Sequence, residues 1–139
     1  MVAPGEYQRA THHFYDFLTD LRDIAGFTTT NPAYTMTQGV FQVFRRRLEL
    51  HDAIRFAGVL PAGLRALFVA DWDPDEPLRE FGDRETMTKE VLALRPDHNY
   101  STPTAIRDVA RALRKHVDED ALDRVLTKMP RAAAEFWEL

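Results

Sequence analysis

Apolar side chains recur along this chain at alternating three- and four-residue steps, the spacing of one face of a helix. Tyr7, Ala10, Phe14, Phe17, Leu21 and Ile24 define the first such face and predict a helix over about residues 6–25, ended by Gly26. Thr28-Thr29-Thr30-Asn31-Pro32 supplies polar caps and a proline suited to a first helical turn. It leads into a second helix reaching about Leu48, with Met36, Val40, Val43, Phe44 and Leu48 inward. A shorter helix over about residues 52–59 carries Ala53, Ile54, Phe56 and Ala57, and Pro61 starts another with Leu64, Leu67 and Phe68 inward. No segment alternates with period two for long enough to predict a strand.

Asp71-Trp72-Asp73-Pro74-Asp75-Glu76-Pro77 interrupts the pattern with two prolines among acids and reads as a connector. Asp83 then reads as an N-cap to a helix with Met87, Val91 and Leu94 inward, closed by Pro96. After a loop over residues 97–102, Pro103 opens a helix burying Ala105, Ile106, Val109, Ala112, Leu113 and Val117. Asp118-Glu119-Asp120 caps a short helix with Leu122, Val125, Leu126 and Met129, and Pro130 starts the last, which buries Ala133, Phe136 and Trp137.

The second half echoes the first at a shift of 69 residues. Val40 falls on Val109, Phe44 on Leu113, Leu48 on Val117, Leu60-Pro61 on Met129-Pro130 and Leu67-Phe68 on Phe136-Trp137. Few of the aligned residues are identical, among them Thr35, Val40, Arg45, Arg55 and Pro61, so the register of apolar positions and of the proline carries the comparison. A unit of two long helices, a short helix and a proline-started helix leaves an apolar face uncovered, and two units bury those faces against each other. The expected fold is therefore all-α: one domain of about eight helices, repeat one over about residues 6–69, a connector over about 70–82 and repeat two over about 83–138.

Segments Leu60-Pro61-Ala62-Gly63-Leu64-Arg65-Ala66-Leu67-Phe68 and Met129-Pro130-Arg131-Ala132-Ala133-Ala134-Glu135-Phe136-Trp137, joined by Trp72-Asp73-Pro74-Asp75-Glu76-Pro77-Leu78, carry a resemblance. From about Tyr7 to Trp137 the chain resembles the prokaryotic family catalogued as domain of unknown function 2267 (DUF2267). Ala133 departs from that pattern, standing where a larger aliphatic is usual. The resemblance implies a helical fold in a bacterial or archaeal cytoplasm. It brings no catalytic residues, because the family has no established activity.

Composition narrows the chemistry. With 139 residues, 45% of them hydrophobic, the chain is long enough for a core of its own. It has no cysteine, which excludes disulfides, thiolate metal sites and nucleophilic thiols. No apolar run approaches a membrane span and the start lacks a leader pattern, so a cytoplasmic location without a membrane partner is expected. Net charge is −4, with seven basic and six acidic residues in 1–69 and eleven and sixteen in 70–139. A nucleic-acid partner is disfavoured on that balance, since phosphate neutralisation needs a net-positive face.

Several constellations call for a reading. His12, Asp16, Asp20 and Asp23 share the polar face of the first helix, where a His and an Asp four residues apart have metal-ligand spacing. No second helix carries a matching pair, so they read as a solvated face, as does His13. Asp71, Asp73 and Asp75 open like a calcium loop, but Glu76 and Gly82 occupy its glycine and glutamate positions. His51-Asp52 and His116 with Asp120 each offer an oriented imidazole, yet no nucleophile elbow, phosphate loop or metal motif completes a site.

Two basic clusters remain: Arg45, Arg46 and Arg47 end the second helix, and Arg114, Lys115 and His116 end its counterpart. Cations there neutralise the negative end of a helix dipole and bond its orphan carbonyls, which is the reading adopted. Within the clusters Arg47 and His116 fall on the apolar side of a wheel of about 100° per residue, so a small anion at the seam between the repeats is the alternative. These six are the only candidate binding residues; no catalytic residue, metal ligand or cofactor is assigned. A non-enzymatic binding or assembly module is the expected function, with an unidentified protein partner or homo-oligomer. The alternatives are a small-anion or small-ligand binder or enzyme with a pocket between the repeats, and a weak nucleic-acid binder through the basic clusters.

Overall fold

The computed structural model describes residues 3–94 and 101–139. Its elements are α1 (Gly5–Gln8), α2 (Ala10–Ala25), α3 (Thr30–Arg45), α4 (Leu50–Gly58), α5 (Ala62–Val69), α6 (Arg84–Ala93), α7 (Ala105–His116), α8 (Glu119–Thr127) and α9 (Arg131–Phe136). The fold is all-α, and no strand occurs among the described residues. Pro96 and most of the loop before Ser101, which the pattern assigns to a helix stop and a turn, lie outside the described residues.

The boundaries follow local chemistry where a cap is available. Gly26 ends α2 with φ 77°, a left-handed conformation that costs glycine no Cβ clash. Asp83 and Asp118 each accept a hydrogen bond from a backbone N–H three residues on, Thr86 and Ala121, as N-caps do. Pro61 and Pro130 sit immediately before α5 and α9 with near-equal dihedrals, φ −56° and −52°. One element departs from expectation: the first predicted helix is broken at Arg9 into α1 and α2. Tyr7 is exposed and α1 buries nothing, so no packing holds its single turn to the axis of α2.

A second departure places the basic cluster. The helix expected to reach Leu48 ends at Arg45, and the next residues tighten into three-residue hydrogen bonds, Arg47 N–H to Phe44 O and Leu48 N–H to Arg45 O. Glu49 is extended, and α4 starts directly after it. Arg46 and Arg47 therefore leave the helix surface and point across the turn toward α6.

One continuous core ties the two halves together. Phe41 and Phe44 of α3, Phe56 of α4 and Phe68 of α5 surround Trp137 and Phe136 at the end of α9, all essentially inaccessible to solvent. Trp137 stacks on Phe56 with centroids 5.5 Å apart and meets Phe44 edge-on at 5.2 Å. On the other side α3 crosses α6 closely at Gly39, where a Cβ would lie 3.1 Å from Val91 Cγ1. α2 packs along both α3 and α7, so each of the first two long helices touches the opposite half of the chain.

Candidate functional site

The turn after α3 and the segment between α5 and α6 meet over the end of α5. Arg45, buried despite its charge, donates from one guanidinium nitrogen to the carbonyls of Phe68 and Ala70, 2.8 Å each. These are orphan acceptors at the C-terminus of α5. The other face of the guanidinium lies 5.4 Å from the ring centroid of Trp72, which meets Phe68 edge-on. The chain reverses between Ala70 and Trp72 through Asp71, whose φ of 56° is left-handed. Burial pushes the Arg45 guanidinium below its ordinary value, against the opposing influence of Glu76 and Asp71.

Arg46 and Arg47 converge on Glu90 of α6. Arg47 places two nitrogens on its oxygens at 2.6 and 3.2 Å, Arg46 donates at 2.7 Å, and Arg79 adds a third guanidinium at 3.2 Å. Arg47 also donates to Val43 O at 2.7 Å and Glu80 O at 3.0 Å, so its remaining donors hold its own helix end and the returning segment. Burial raises the Glu90 carboxyl, but the hydrogen bonds and charges of Arg47 and Arg46 outweigh it and hold the group below the usual glutamate value. A backbone bond from Arg79 N–H to Arg46 O completes the strap.

Beside this strap lies a cleft of about 470 Å³, floored by Arg45, Arg46, Leu48 and Trp72 and walled by Glu49, Leu50, Val69, Pro74, Glu76 and Leu78. Leu50, Val69 and Leu78 are among the few large apolar side chains left exposed, at 66%, 47% and 58%. A second cleft of about 460 Å³ continues past Leu48, Glu49 and Leu78 to Asp52, Glu80, Phe81 and Pro130. Arg46 Nε is buried at the floor without a hydrogen-bond partner, 3.4 Å from Glu76 Oε1.

The other basic cluster is built differently. Arg114 donates to Trp137 O at 3.0 Å, at the end of α9, and pairs with Asp123 at 3.0 Å and Glu119 at 3.4 Å. Lys115 is exposed and makes no ion pair among the described residues. His116 Nε2 shares a short hydrogen bond with Asp20 of α2 and meets the edge of Phe17. Its partner is thus Asp20 and not Asp120, because α7 packs along α2 and turns the ring toward that helix. Arg47 and His116 line different clefts, the latter a small one of about 150 Å³ with His13 and Phe14.

Sequence reasoning put both clusters at helix ends. It did not foresee that Arg45 and Arg114 satisfy the carbonyls of neighbouring helices, or that Glu90, Trp72, Leu50 and Leu78 belong to the site. No local motif marks Glu90, although the exposed apolar residues stand out once the helix faces are drawn. Elsewhere His12 pairs with Asp16 at 3.4 Å on the exposed face of α2, and Asp73 accepts from Asp75 N–H in a tight turn. Among the described residues no three His, Asp or Glu side chains converge as metal ligands do, and no helix is long and apolar enough to cross a membrane.

Fold and cleft together define a helical protein with an open apolar cleft whose arginine floor is tied to the protein's own acceptors. The chain belongs to the family described as uncharacterized conserved protein (DUF2267), whose model matches residues 14–136. No curated protein sequence matches it.

Proposed function

We propose that the protein is a non-enzymatic binding module and that the cleft between the α3–α4 turn, the end of α5 and Trp72 to Leu78 is its binding site. One observation carries this reading: a cleft of about 470 Å³, within the usual range for ligand sites, rimmed by exposed Leu50, Val69 and Leu78. The nearby cations are engaged internally, Arg45 with carbonyls and Arg46 and Arg47 with Glu90. An anion at Arg47 or His116 has to displace a carboxylate already bonded there, which weighs against the small-anion alternative.

The test uses a neutral apolar fluorophore, N-phenyl-1-naphthylamine. It should bind with a fluorescence increase that Leu50→Glu and Leu78→Glu each reduce at least tenfold in affinity, while both variants stay within about 0.5 kcal/mol of wild-type stability, as exposed positions do. Unchanged binding in both variants removes the cleft from consideration.

We also infer that the fold is built of two quasi-equivalent units, residues 6–69 and 83–138, joined by the connector 70–82. Support comes from polar contacts that repeat at the same shift as the apolar register. Arg45 bonds Phe68 O and Arg114 bonds Trp137 O, each 23 residues on. Arg47 and His116, also 69 residues apart, each reach a carboxylate on a long helix of the opposite half, Glu90 and Asp20, although these two partners stand one residue out of that register.

A further inference from the structure

Resting on the cleft reading above, we infer that the occupant is a basic amphipathic helix of a partner protein. The two clefts share Leu48, Glu49 and Leu78 in their walls and so adjoin, giving a trough in two segments, one beside Val69 and Trp72 and the other reaching Phe81 and Pro130. Leu50 and Ile54, one helical turn apart on α4, are exposed at 66% and 64%, which extends the apolar surface beside the trough. An elongated apolar surface of this kind suits a helix laying down side chains at i, i+3, i+4 and i+7 better than it suits a single small molecule.

Charge selects the kind of helix. Arg46, Arg47 and Arg79 all converge on Glu90, and Arg45 is spent on carbonyls. By contrast Glu49, Asp52 and Glu80 line the trough and Asp71, Asp73 and Asp75 stand on the connector beside it, none in an ion pair among the described residues, against one unpaired cation on α4, Arg55. The surplus of unpaired carboxylates repels phosphate, anionic lipid and acidic peptides, and attracts lysine and arginine flanking an apolar stripe. A neutral small molecule uses the apolar floor and leaves the acidic rim without a role. A second copy of this chain presents exposed cations at Arg107, Arg111, Lys115 and Arg124, but among the described residues its α7–α9 half exposes no large apolar side chain except Leu139, and pairing through its own Leu50, Ile54 and Leu78 sets Glu49 and Asp52 against the same carboxylates of the other copy.

The experiment compares two fluorescein-labelled peptides of about 18 residues, roughly five helical turns, with the same leucine stripe. One carries lysine and the other glutamate on its polar face. Anisotropy titration against the full chain at 0.15 M salt should give the lysine peptide micromolar affinity, at least tenfold tighter than the glutamate peptide, and weaker as salt rises. Quenching or shift of Trp72 emission should accompany binding, and Leu50→Glu should abolish it. The triple variant Glu49→Gln, Asp52→Asn, Glu80→Gln should weaken the lysine peptide about tenfold and leave the glutamate peptide no weaker, whereas an equal loss for both peptides counts against charge selection.

Equal binding of both peptides, or preference for the glutamate one, overturns the assignment. Self-association on size-exclusion chromatography that Leu78→Glu abolishes also overturns it, in favour of a second copy. If the dye binds in the cleft and neither peptide does, the partner assignment fails and the cleft stands. If neither dye nor peptide binds, both fail.

Discussion

At Glu90 one carboxylate of α6 receives Arg46, Arg47 and Arg79, side chains from two separate stretches of chain. Removing it leaves Arg47 nearly buried and without its charge partner. Glu90→Gln should therefore cost about 2–3 kcal/mol in urea denaturation, less than the roughly 3–5 kcal/mol of a fully buried pair because the carboxylate keeps part of its solvent contact. The same residue sets an acid limit. Its folded carboxyl lies below the ordinary glutamate value, so the unfolded chain takes up the proton first as pH falls. The stabilisation is whole above about pH 4.3 and is lost as pH drops through the lower folded value. Stability measured from pH 6 to 3 should fall less steeply in Glu90→Gln than in wild type, and parallel curves would rule out this role.

At the scale of elements, the arginines at the ends of α3 and α7 act on other helices. Arg45→Met should cost about 1.5–3 kcal/mol, the range for hydrogen bonds to a charged group, and Arg114→Met less, since its guanidinium is more exposed and bonds one carbonyl in place of two. Hydrogen exchange distinguishes this from dipole compensation at the parent helix. Each variant should speed exchange at the last turn of its target, near Ala70 for Arg45 and near Trp137 for Arg114, and loosening confined to the end of α3 or α7 counts against the two-unit parallel. The aromatic cluster supports the same packing. Phe44→Ala, which removes a ring touching Phe56, Phe136 and Trp137, should cost about 3–5 kcal/mol, and a loss under about 1 kcal/mol would contradict its place in the core.

For the whole molecule, charge distribution limits what surfaces can do. The basic clusters, adjacent to acids in space, do not form an open phosphate track: Glu76, Glu90, Glu119, Asp123 and Asp20 each face one of their cations. Nucleic-acid affinity, followed by filter binding, should be weak at low salt and absent at 0.15 M, because few cations of the two clusters remain to release counterions and the chain carries a net charge of −4. Nanomolar binding at that salt would overturn the internal pairing as the dominant use of these arginines. What stays open on the surface is the trough, where apolar residues and unpaired acids lie together.

The apolar register by itself determined the helices and most of the core: Met36, Val40, Phe44, Ile106, Val109, Leu113, Phe136 and Trp137 are all buried where the helical faces placed them. Local chemistry was equally sufficient at Gly26, Asp83 and Asp118, because a cap depends on a few adjacent residues. Where periodicity ran through a segment without an anchor, as at Tyr7, or past a tightening turn, as after Arg45, the pattern overran the helix. Only the tertiary structure decided that Arg47 meets Glu90, that His116 meets Asp20 and that Arg45 caps α5, since these partners lie 43, 96 and 23 residues away. The trough likewise exists only once the connector folds back against α3 and α4. Periodicity records which side of a helix avoids water; which polar groups meet across the gap depends on how the helices cross, and that is a property of the assembled core.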